Sequence, residues 1–239
     1  MISRCHLEPA VASRIARHKR LLRISAHSVS AVVIVLSLTG CLKEILFLGL
    51  LLHGPPSIEP EFDIRTGKSM TDRGVKVAVL CEAPSNLRLD FGKIDEHLGR
   101  YVTNWLARNK INCVHSEGIR AWVDEHPEFD TPEELGADLE VTYVIHIELR
   151  QYSLYEKNSQ SLFRGSAEGL IKVYDMQPDG RGRVIYNNSF RYRYPRIQAR
   201  SIYDIPEANF KREYLSRLSD QIGHHFYEWH TGDDIPDAT

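Results

Sequence analysis

The stretch "VTYVIHIELRQYSLYE", residues 141–156, carries a long β-strand pattern. It opens as a β-branched apolar run and then alternates apolar with polar residues, which is the period of a strand with one buried face. Two more long strand candidates follow, "SLFRGSAEGLIKVYDM" (161–176) and "RVIYNNSFRYRYP" (183–195). The turn sequence "QPDGRG" separates the last two, so the three segments predict an antiparallel meander.

The region before the meander predicts strands that alternate with helices. "VKVAVLCEAP" is typical of a buried strand, "DFGKIDEHLGRYVTNWLARNK" of an amphipathic helix capped by Asp90, and "INCVHS" of a second short strand. Two short helices follow, and the second has a capping box of Thr131 and Glu134 with Pro132 at its first position. A strand–helix–strand unit favours parallel pairing.

The chain closes with a predicted amphipathic helix, "IPEANFKREYLSRLSDQIGHHFYEWH" (205–230). Its apolar stripe has helical spacing and consists of Phe210, Tyr214, Leu218, Ile222, Phe226 and Trp229. The full order is therefore β-α-β-α-α-β-β-β-α. The predicted fold class is α/β, more closely an α+β mixed sheet with the C-terminal helix packed on it.

Residues 1–40 have the layout of a secretory signal peptide. Basic side chains end at Arg23, an apolar run of signal length follows, and Gly40 is a small residue directly before Cys41. The tetrapeptide "LTGC" that ends at Cys41 resembles the lipobox of bacterial lipoproteins. The resemblance implies cleavage after Gly40, acylation of Cys41, and membrane lipid as a partner of the mature chain.

An uncleaved transmembrane anchor is the alternative for this segment. The stretch Val29–Leu52 is long enough to span a bilayer, but Lys43 and Glu44 lie in its middle. Each charge at a helix centre costs about 2.5–3.5 kcal/mol, which favours the lipoprotein hypothesis. Both alternatives place the body outside the cytoplasm, facing the periplasm. Leu42 does not resemble the Asp that retains some lipoproteins at the inner membrane, which favours the outer membrane.

Composition divides the chain into four predicted parts. Residues 1–40 form the signal peptide, residues 41–74 a lipidated N-terminus and flexible tether rich in Pro and Gly, residues 75–231 a single mixed α/β domain, and residues 232–239 a disordered tail.

Charge excludes one class of partner. Of 30 basic and 32 acidic side chains in the whole chain, six basic ones and a single acidic one precede Cys41, so the remainder carries a net charge of −7. An acidic body argues against nucleic acid as a partner, because neutralising phosphates needs an excess of Lys and Arg.

The body also resembles known envelope families. The strand "VKVAVL", an amphipathic helix, the segment "ELGADLEVTYVIHIEL" (134–149), a hairpin and a final helix resemble the layout of the TolB N-terminal domain and the curli-secretion lipoproteins. The chain departs from the "lGadyvv"-type segment of those families by extra residues between Ala137 and Tyr143. It is also similar to lipoproteins of unassigned function from planctomycete-type bacteria. The resemblance covers about residues 75–229 and implies an envelope interaction module without catalytic residues to carry over.

The sequence contains no nucleophile motif of the hydrolase families and no zinc-protease motif, so we predict no enzyme activity and no cofactor. His224 and Glu228, one helical turn apart, are weak candidates for a metal site and for a small metal-dependent hydrolase. The competing interpretation is the solvated last turn of a helix, where His suits the negative end of the dipole.

The sequence leaves open whether two cysteines of the body form a disulfide or remain free thiols. Cys81 and Cys113 are the two that follow Cys41, and both lie in predicted strands. They form either a disulfide, as an oxidising envelope permits, or two buried thiols.

The segment "FRYRYPRIQAR" (190–200) alternates Arg and Tyr. Arg191 and Arg193 share one face of the predicted strand, and with Arg196 they are the candidate binding surface for an acidic partner or for lipid phosphates. The competing interpretation is a structural strand with Tyr inward and Arg in water.

Together these observations predict a non-enzymatic, membrane-anchored envelope lipoprotein that binds an envelope protein or assists envelope assembly.

Replacement of Cys41 by Ser tests the lipoprotein hypothesis. We expect the wild-type protein, extracted from membranes, to lack residues 1–40 and to carry acyl chains, because two or more chains are needed for stable anchoring. The Cys41→Ser variant should keep its basic head and lack lipid. The measurement is intact mass, and a wild-type mass equal to the unmodified 239-residue chain would instead support the uncleaved anchor.

Overall fold

The computed structural model describes residues 57–230, so the predicted signal peptide, Cys41 and the tail 232–239 lie outside the described residues. The elements in chain order are β1 (Ser57–Ile58), α1 (Glu61–Thr66), β2 (Val77–Glu82), α2 (Ser85–Phe91), α3 (Ile94–Arg108), α4 (Ser116–Glu125), α5 (Pro132–Asp138), β3 (Tyr143–Tyr155), β4 (Leu162–Met176), β5 (Gly182–Tyr194), β6 (Arg200–Ser201), α6 (Glu207–Gly223) and β7 (Trp229–His230). Within this range no helix is both long and apolar enough to cross a membrane.

The main sheet is mixed, which confirms the predicted fold class. Its strand order is β2-β3-β4-β5, with β2 parallel to β3 and the other two pairs antiparallel. The short strand β6 pairs with the beginning of β4, and β1 pairs with β7 in a separate two-stranded sheet. The predicted meander is thus β3, β4 and β5, and Gly180 takes a positive φ of 82° in the turn of its second hairpin.

The larger core lies between one face of the sheet and helices α1, α3 and α6. Leu98 and Leu106 of α3 and Phe210 and Leu218 of α6 are fully buried there. The predicted stripe of the C-terminal helix therefore points inward at these positions. This burial is the main hydrophobic contribution to the fold, because apolar surface removed from water is its driving force.

A smaller core covers only part of the opposite face. Ile119 and Trp122 of α4 and Leu135 of α5 pack there against residues of β2 and β3. The predicted capping box of α5 is present, with the N–H of Thr131 donating to Glu134 Oε1 at 3.0 Å. Beyond these helices the face carries polar side chains.

The predicted helix that begins after Asp90 is wrong at its start. Two helices lie there, and α2 ends at Phe91 while α3 begins at Ile94. Gly92 and Lys93 have positive φ values of 57° and 51°, and this left-handed pair breaks the helical path. Asp90 is an exposed residue inside α2 and caps nothing.

The predicted strand "INCVHS" is reduced to one bridge between Val77 and Cys113. It is held by two backbone hydrogen bonds, from Val77 N–H to Asn112 and from Val114 N–H to Val77, at 2.9 and 2.8 Å. The final helix is also shorter than predicted. It ends at Gly223, because the Phe226 N–H donates to the Gly223 carbonyl at 2.7 Å and turns the chain toward β7.

The predicted tether was wrong for residues 57–74, which belong to the body. Strand β1 and helix α1 lie in this segment, and both Phe62 and Met70 are buried in the larger core. The ring of Phe62 lies 5.8 Å from the rings of Tyr143 and Tyr186 and 6.0 Å from that of Phe226. Phe62 and Met70 therefore anchor a segment that has no apolar periodicity.

Two substitutions in α1 test this anchor. Phe62→Ala should lower the free energy of unfolding by about 3–5 kcal/mol, because it leaves a cavity among three rings. Ile64→Ala on the same helix is the matched control, since Ile64 is 65% exposed, and its effect should stay within about 0.5 kcal/mol. Urea unfolding measures both. A loss below about 1 kcal/mol for Phe62→Ala would show that the segment does not contribute to the folded body.

Candidate functional site

The outer strand β5 presents an open edge. Its inner side pairs with β4 along the whole strand, from Met176 opposite Gly182 to Gly165 opposite Tyr194. Within residues 57–230, no strand pairs with its outer side. An unpaired edge offers a row of N–H and C=O groups that another chain can bind.

Two hydrogen bonds show which residues direct their backbone to the open side. The Asn187 carbonyl accepts from Arg65 Nη1 of α1 at 3.4 Å, and the Ser189 N–H donates to the Asn188 side chain at 2.9 Å. Alternate residues of an antiparallel strand direct their backbone groups to the same side. The register is unbroken from Tyr186 to Tyr194, so Arg191 and Arg193 direct their N–H and C=O groups outward as well.

The side chains of this strand separate into two faces, as the Arg/Tyr alternation predicts. Arg191 and Arg193 are exposed, whereas Tyr192 and Tyr194 are buried on the face that packs against α6. Arg191 Nε lies 2.7 Å from Glu168 Oε1 of β4, across the strand pair. Arg193 has no ion pair with any group of the described part of the chain. Arg196, the third predicted residue, is exposed in the loop after β5.

A polar cluster fixes the end of the edge strand. The Tyr194 hydroxyl donates to Glu213 Oε1 of α6 at 2.5 Å, and Arg200 donates to Glu213 Oε2 at 2.9 Å. The Arg217 guanidinium lies 4.3 Å from the centre of the Tyr194 ring. Burial raises the pKa of Tyr194 to about 12, aided by the neighbouring carboxylate. Burial also acts to raise the pKa of Glu213, but its bonds with Tyr194 and Arg200 outweigh that and hold it below the usual value.

A small cavity of about 210 Å³ lies beside the edge, between β5 and the C-terminal half of α6. Its lining residues are Ser189, Phe190, Arg191, Tyr192, Leu218, Gln221, Ile222 and His225. Among them His225 is fixed by hydrogen bonds with Tyr186 and Glu61, at 2.8 and 3.1 Å. Burial lowers the pKa of His225, and the Glu61 carboxylate partly opposes that shift. Sequence reasoning missed this cavity, because its two walls lie far apart in the chain.

The structure does not bring the candidate metal ligands together. His224 Nε2 lies 3.4 Å from Asp220, its Nδ1 lies 2.9 Å from the Gln221 amide, and its ring stacks on Trp229. Glu228 is exposed. Across residues 57–230, no group of three or more His, Cys, Asp or Glu side chains is placed to hold a metal ion.

A larger, open groove of about 650 Å³ lies between helices α4 and α5 and the β4–β5 turn. Its potential acid–base groups already have structural partners. His126 stacks on Trp122 at 4.5 Å, with its Nδ1 2.8 Å from the Trp122 carbonyl. Asp138 accepts from the Trp122 indole at 2.8 Å, and Thr131 and Glu134 form the helix cap. These contacts fix the ends of two helices and do not form a nucleophile–base pair.

A buried histidine links β2 and β3. His146 Nε2 lies 2.5 Å from Glu82 Oε2, across the parallel pair, and Glu148 binds Lys172 of β4 on the same face. The bond with His146 is the main reason why the pKa of Glu82 is held below its usual value. His146 is therefore a cross-strand histidine that pairs with a carboxylate of the neighbouring strand.

Cys81 and Cys113 are both free thiols in the structure. Burial raises the pKa of Cys113 to about 12, and it raises that of Cys81 well above the usual range. Of the two alternatives, the structure has the buried thiols. Such groups remain protonated and poorly nucleophilic at neutral pH.

No family model matches the chain, and no curated protein matches it either. Among solved structures, the chain is similar to a dodecamer of a PelC point variant from Paraburkholderia phytofirmans, with 9% identity and a TM-score of 0.43, over 72% of this chain and 97% of that one. It is similar to the hypothetical protein CT253 from Chlamydia trachomatis, with 14% identity and a TM-score of 0.38, over 64% of this chain and 96% of that one. It is also similar to the lipoprotein GNA1162 from Neisseria meningitidis, with 11% identity and a TM-score of 0.36, over 62% of this chain and 97% of that one. The resemblance to the TolB N-terminal domain stays a prediction.

Proposed function

We propose that the chain is a lipid-anchored envelope protein whose body binds a protein partner along the open edge of β5. The observation that carries this proposal is the outward direction of the Arg191 and Arg193 backbones on a strand of 13 residues, one side of which no strand of residues 57–230 pairs with. Addition of a strand to an exposed sheet edge is a common mode of peptide recognition. The N-terminal anchor, through Cys41, would tether the body to the membrane.

The competing explanation for the arginines is protection of the edge. Charged side chains on an outer strand discourage edge-to-edge aggregation, and Arg191 and Arg193 are suited to that role as well. The cavity beside β5 favours recognition over protection alone, because protection needs no space for a side chain on the opposite face. The two roles are also compatible, since the same charge repels basic segments and attracts acidic ones.

The metal-dependent hydrolase is the weaker candidate. It requires convergent polar groups in a pocket, and His224 and His225 instead bind Asp220, Gln221, Tyr186 and Glu61 as parts of the helix end and core.

A photo-crosslinking amino acid placed at Arg193 tests the proposal in cells that make the full-length, lipidated protein. We expect a discrete crosslinked product from this position, because a bound segment would lie within contact distance of β5. The matched control is the same substitution at Glu125, which is exposed at the end of α4. Crosslinking that is absent at position 193, or equal at the two positions, would contradict a specific site at the edge.

A separate measurement of the free energy of unfolding tests whether substitutions of arginines in and after β5 leave the fold intact. Arg191→Ser and Arg193→Ser should each change the free energy of unfolding by less than about 1 kcal/mol, because Arg191 has only an exposed ion pair and Arg193 has none in the described range. Arg200→Ser should cost more, about 1–3 kcal/mol, because it removes charge-assisted bonds to half-buried groups. A large loss from the first two would show that these arginines are structural.

A further inference from the structure

We infer that the β5 edge takes an extended, acidic protein segment. This inference rests on the proposed function and specifies the chemistry of the partner. It follows from three features that the edge brings together, namely the outward backbone groups, the arginine face and the cavity on the opposite face.

The backbone determines the conformation of the partner. The N–H and C=O groups of Arg191 and Arg193 point to the open side, and no group within residues 57–230 pairs with them there. A segment that pairs with both residues must itself be extended, with its own alternate N–H and C=O groups facing β5. Its side chains then alternate between the two faces of the sheet.

On the exposed face, the added strand would lie beside two arginines. Cross-strand neighbours on one face have Cβ atoms about 4.5–5.5 Å apart, which lets opposite charges pair. Arg191 already contacts Glu168, but its side chain is 79% exposed and can accommodate a second carboxylate. Arg193 has no carboxylate partner in the described range. Asp or Glu therefore fits the positions of the segment that point to this face.

On the other face, the same segment would lie next to the cavity of about 210 Å³. Phe190 is half-buried beside it, and Leu218 and Ile222 of α6 are buried behind it. Polar atoms form most of its exposed surface, and Gln221 and His225 are among its lining residues. Pockets for drug-sized ligands measure about 300–1,000 Å³, so this cavity suits one side chain rather than a small molecule. One side chain of the segment, such as an aromatic ring, therefore fits here.

A second copy of the same strand fits poorly. Antiparallel pairing of β5 with its own copy, centred on Tyr192, would place Arg191 of each chain opposite Arg193 of the other. Like charges directly opposite on one face are destabilising. The charge of the edge thus favours an acidic segment from another protein over self-association.

The test uses the full-length protein in detergent and a short synthetic peptide of alternating Asp and Val with a central Phe. Fluorescence anisotropy measures the affinity. We expect binding, and we expect Arg191→Glu with Arg193→Glu to weaken it at least about tenfold, which is about 1.4 kcal/mol. The matched control, Arg73→Glu with Lys157→Glu, makes the same change in net charge at exposed sites in loops and should change affinity by less than about twofold.

Peptides with methylated backbone nitrogens test whether the peptide adds as a strand. Methyl groups on the nitrogens that face β5 should abolish binding, whereas methyl groups on the alternate set should leave it nearly unchanged. Replacement of the central Phe by Gly should weaken binding if that side chain fills the cavity. Binding that is insensitive to the methylation pattern, or that follows net charge at the control sites, would overturn the inference.

The outcomes separate this inference from the proposed function. If crosslinking from position 193 succeeds in cells but the acidic–apolar peptide does not bind, the edge is a binding site for a partner of other chemistry and the inference is wrong. If crosslinking fails as well, the proposed function is wrong. If a peptide of alternating Lys and Val binds more tightly than the acidic one, the arginines do not select the partner.

Discussion

The ring of Tyr214 lies directly on the backbone of β4 at Gly165, and the position of helix α6 on the sheet depends on this contact. A side chain at residue 165 would place its Cβ 2.3 Å from the ring, which real atoms never tolerate. Tyr214 is fully buried and also stacks on Phe210 and Tyr192. The close approach brings α6 against β4 and β5. Helix α6 thereby completes the larger core and forms one wall of the cavity beside β5.

The same contact ties the candidate site to the stability of the fold. Tyr194 at the end of β5 bonds to Glu213, one residue before Tyr214, and Arg200 and Arg217 surround that pair. The end of the edge strand is thus held by a half-buried polar network. The exposed arginines, in contrast, stand on the other face, where substitution alters charge with little change in packing. The arginines of the proposed binding site and the groups that fix the end of the strand therefore lie on opposite faces of β5.

The parts of the structure that depend on local pattern were predictable. The three long strands follow from the apolar run and alternation in residues 141–195, and the capping box at Thr131 follows from residue types three positions apart. The Arg/Tyr alternation in β5 correctly predicted two faces. It did not predict that β5 is the outer strand, because the period of a strand is the same at the edge and in the centre of a sheet.

The missed features depend on contacts between distant residues or on backbone conformation. Phe62 and Met70 lie in a mostly polar segment, so no periodicity indicated that they complete the core. The break at Gly92 and Lys93 falls inside a continuous helical pattern, and a left-handed Lys has no sequence signal. The cavity requires β5 and α6 to meet, and the contacts that bring them together, such as Tyr214 with Gly165, join residues far apart in the chain.

Charge explains how an acidic body can use a basic edge. The chain after Gly40 carries a net charge of −7, so at long range the body repels acidic segments. At an ionic strength of 0.15 M the screening length is about 8 Å, so the distant acidic residues contribute little at the edge itself. Arg193 then carries the local positive charge together with Arg191, whose charge Glu168 partly neutralises. An acidic segment would consequently gain no advantage in its rate of approach, and its selection would occur after contact, through the lifetime of the paired strand.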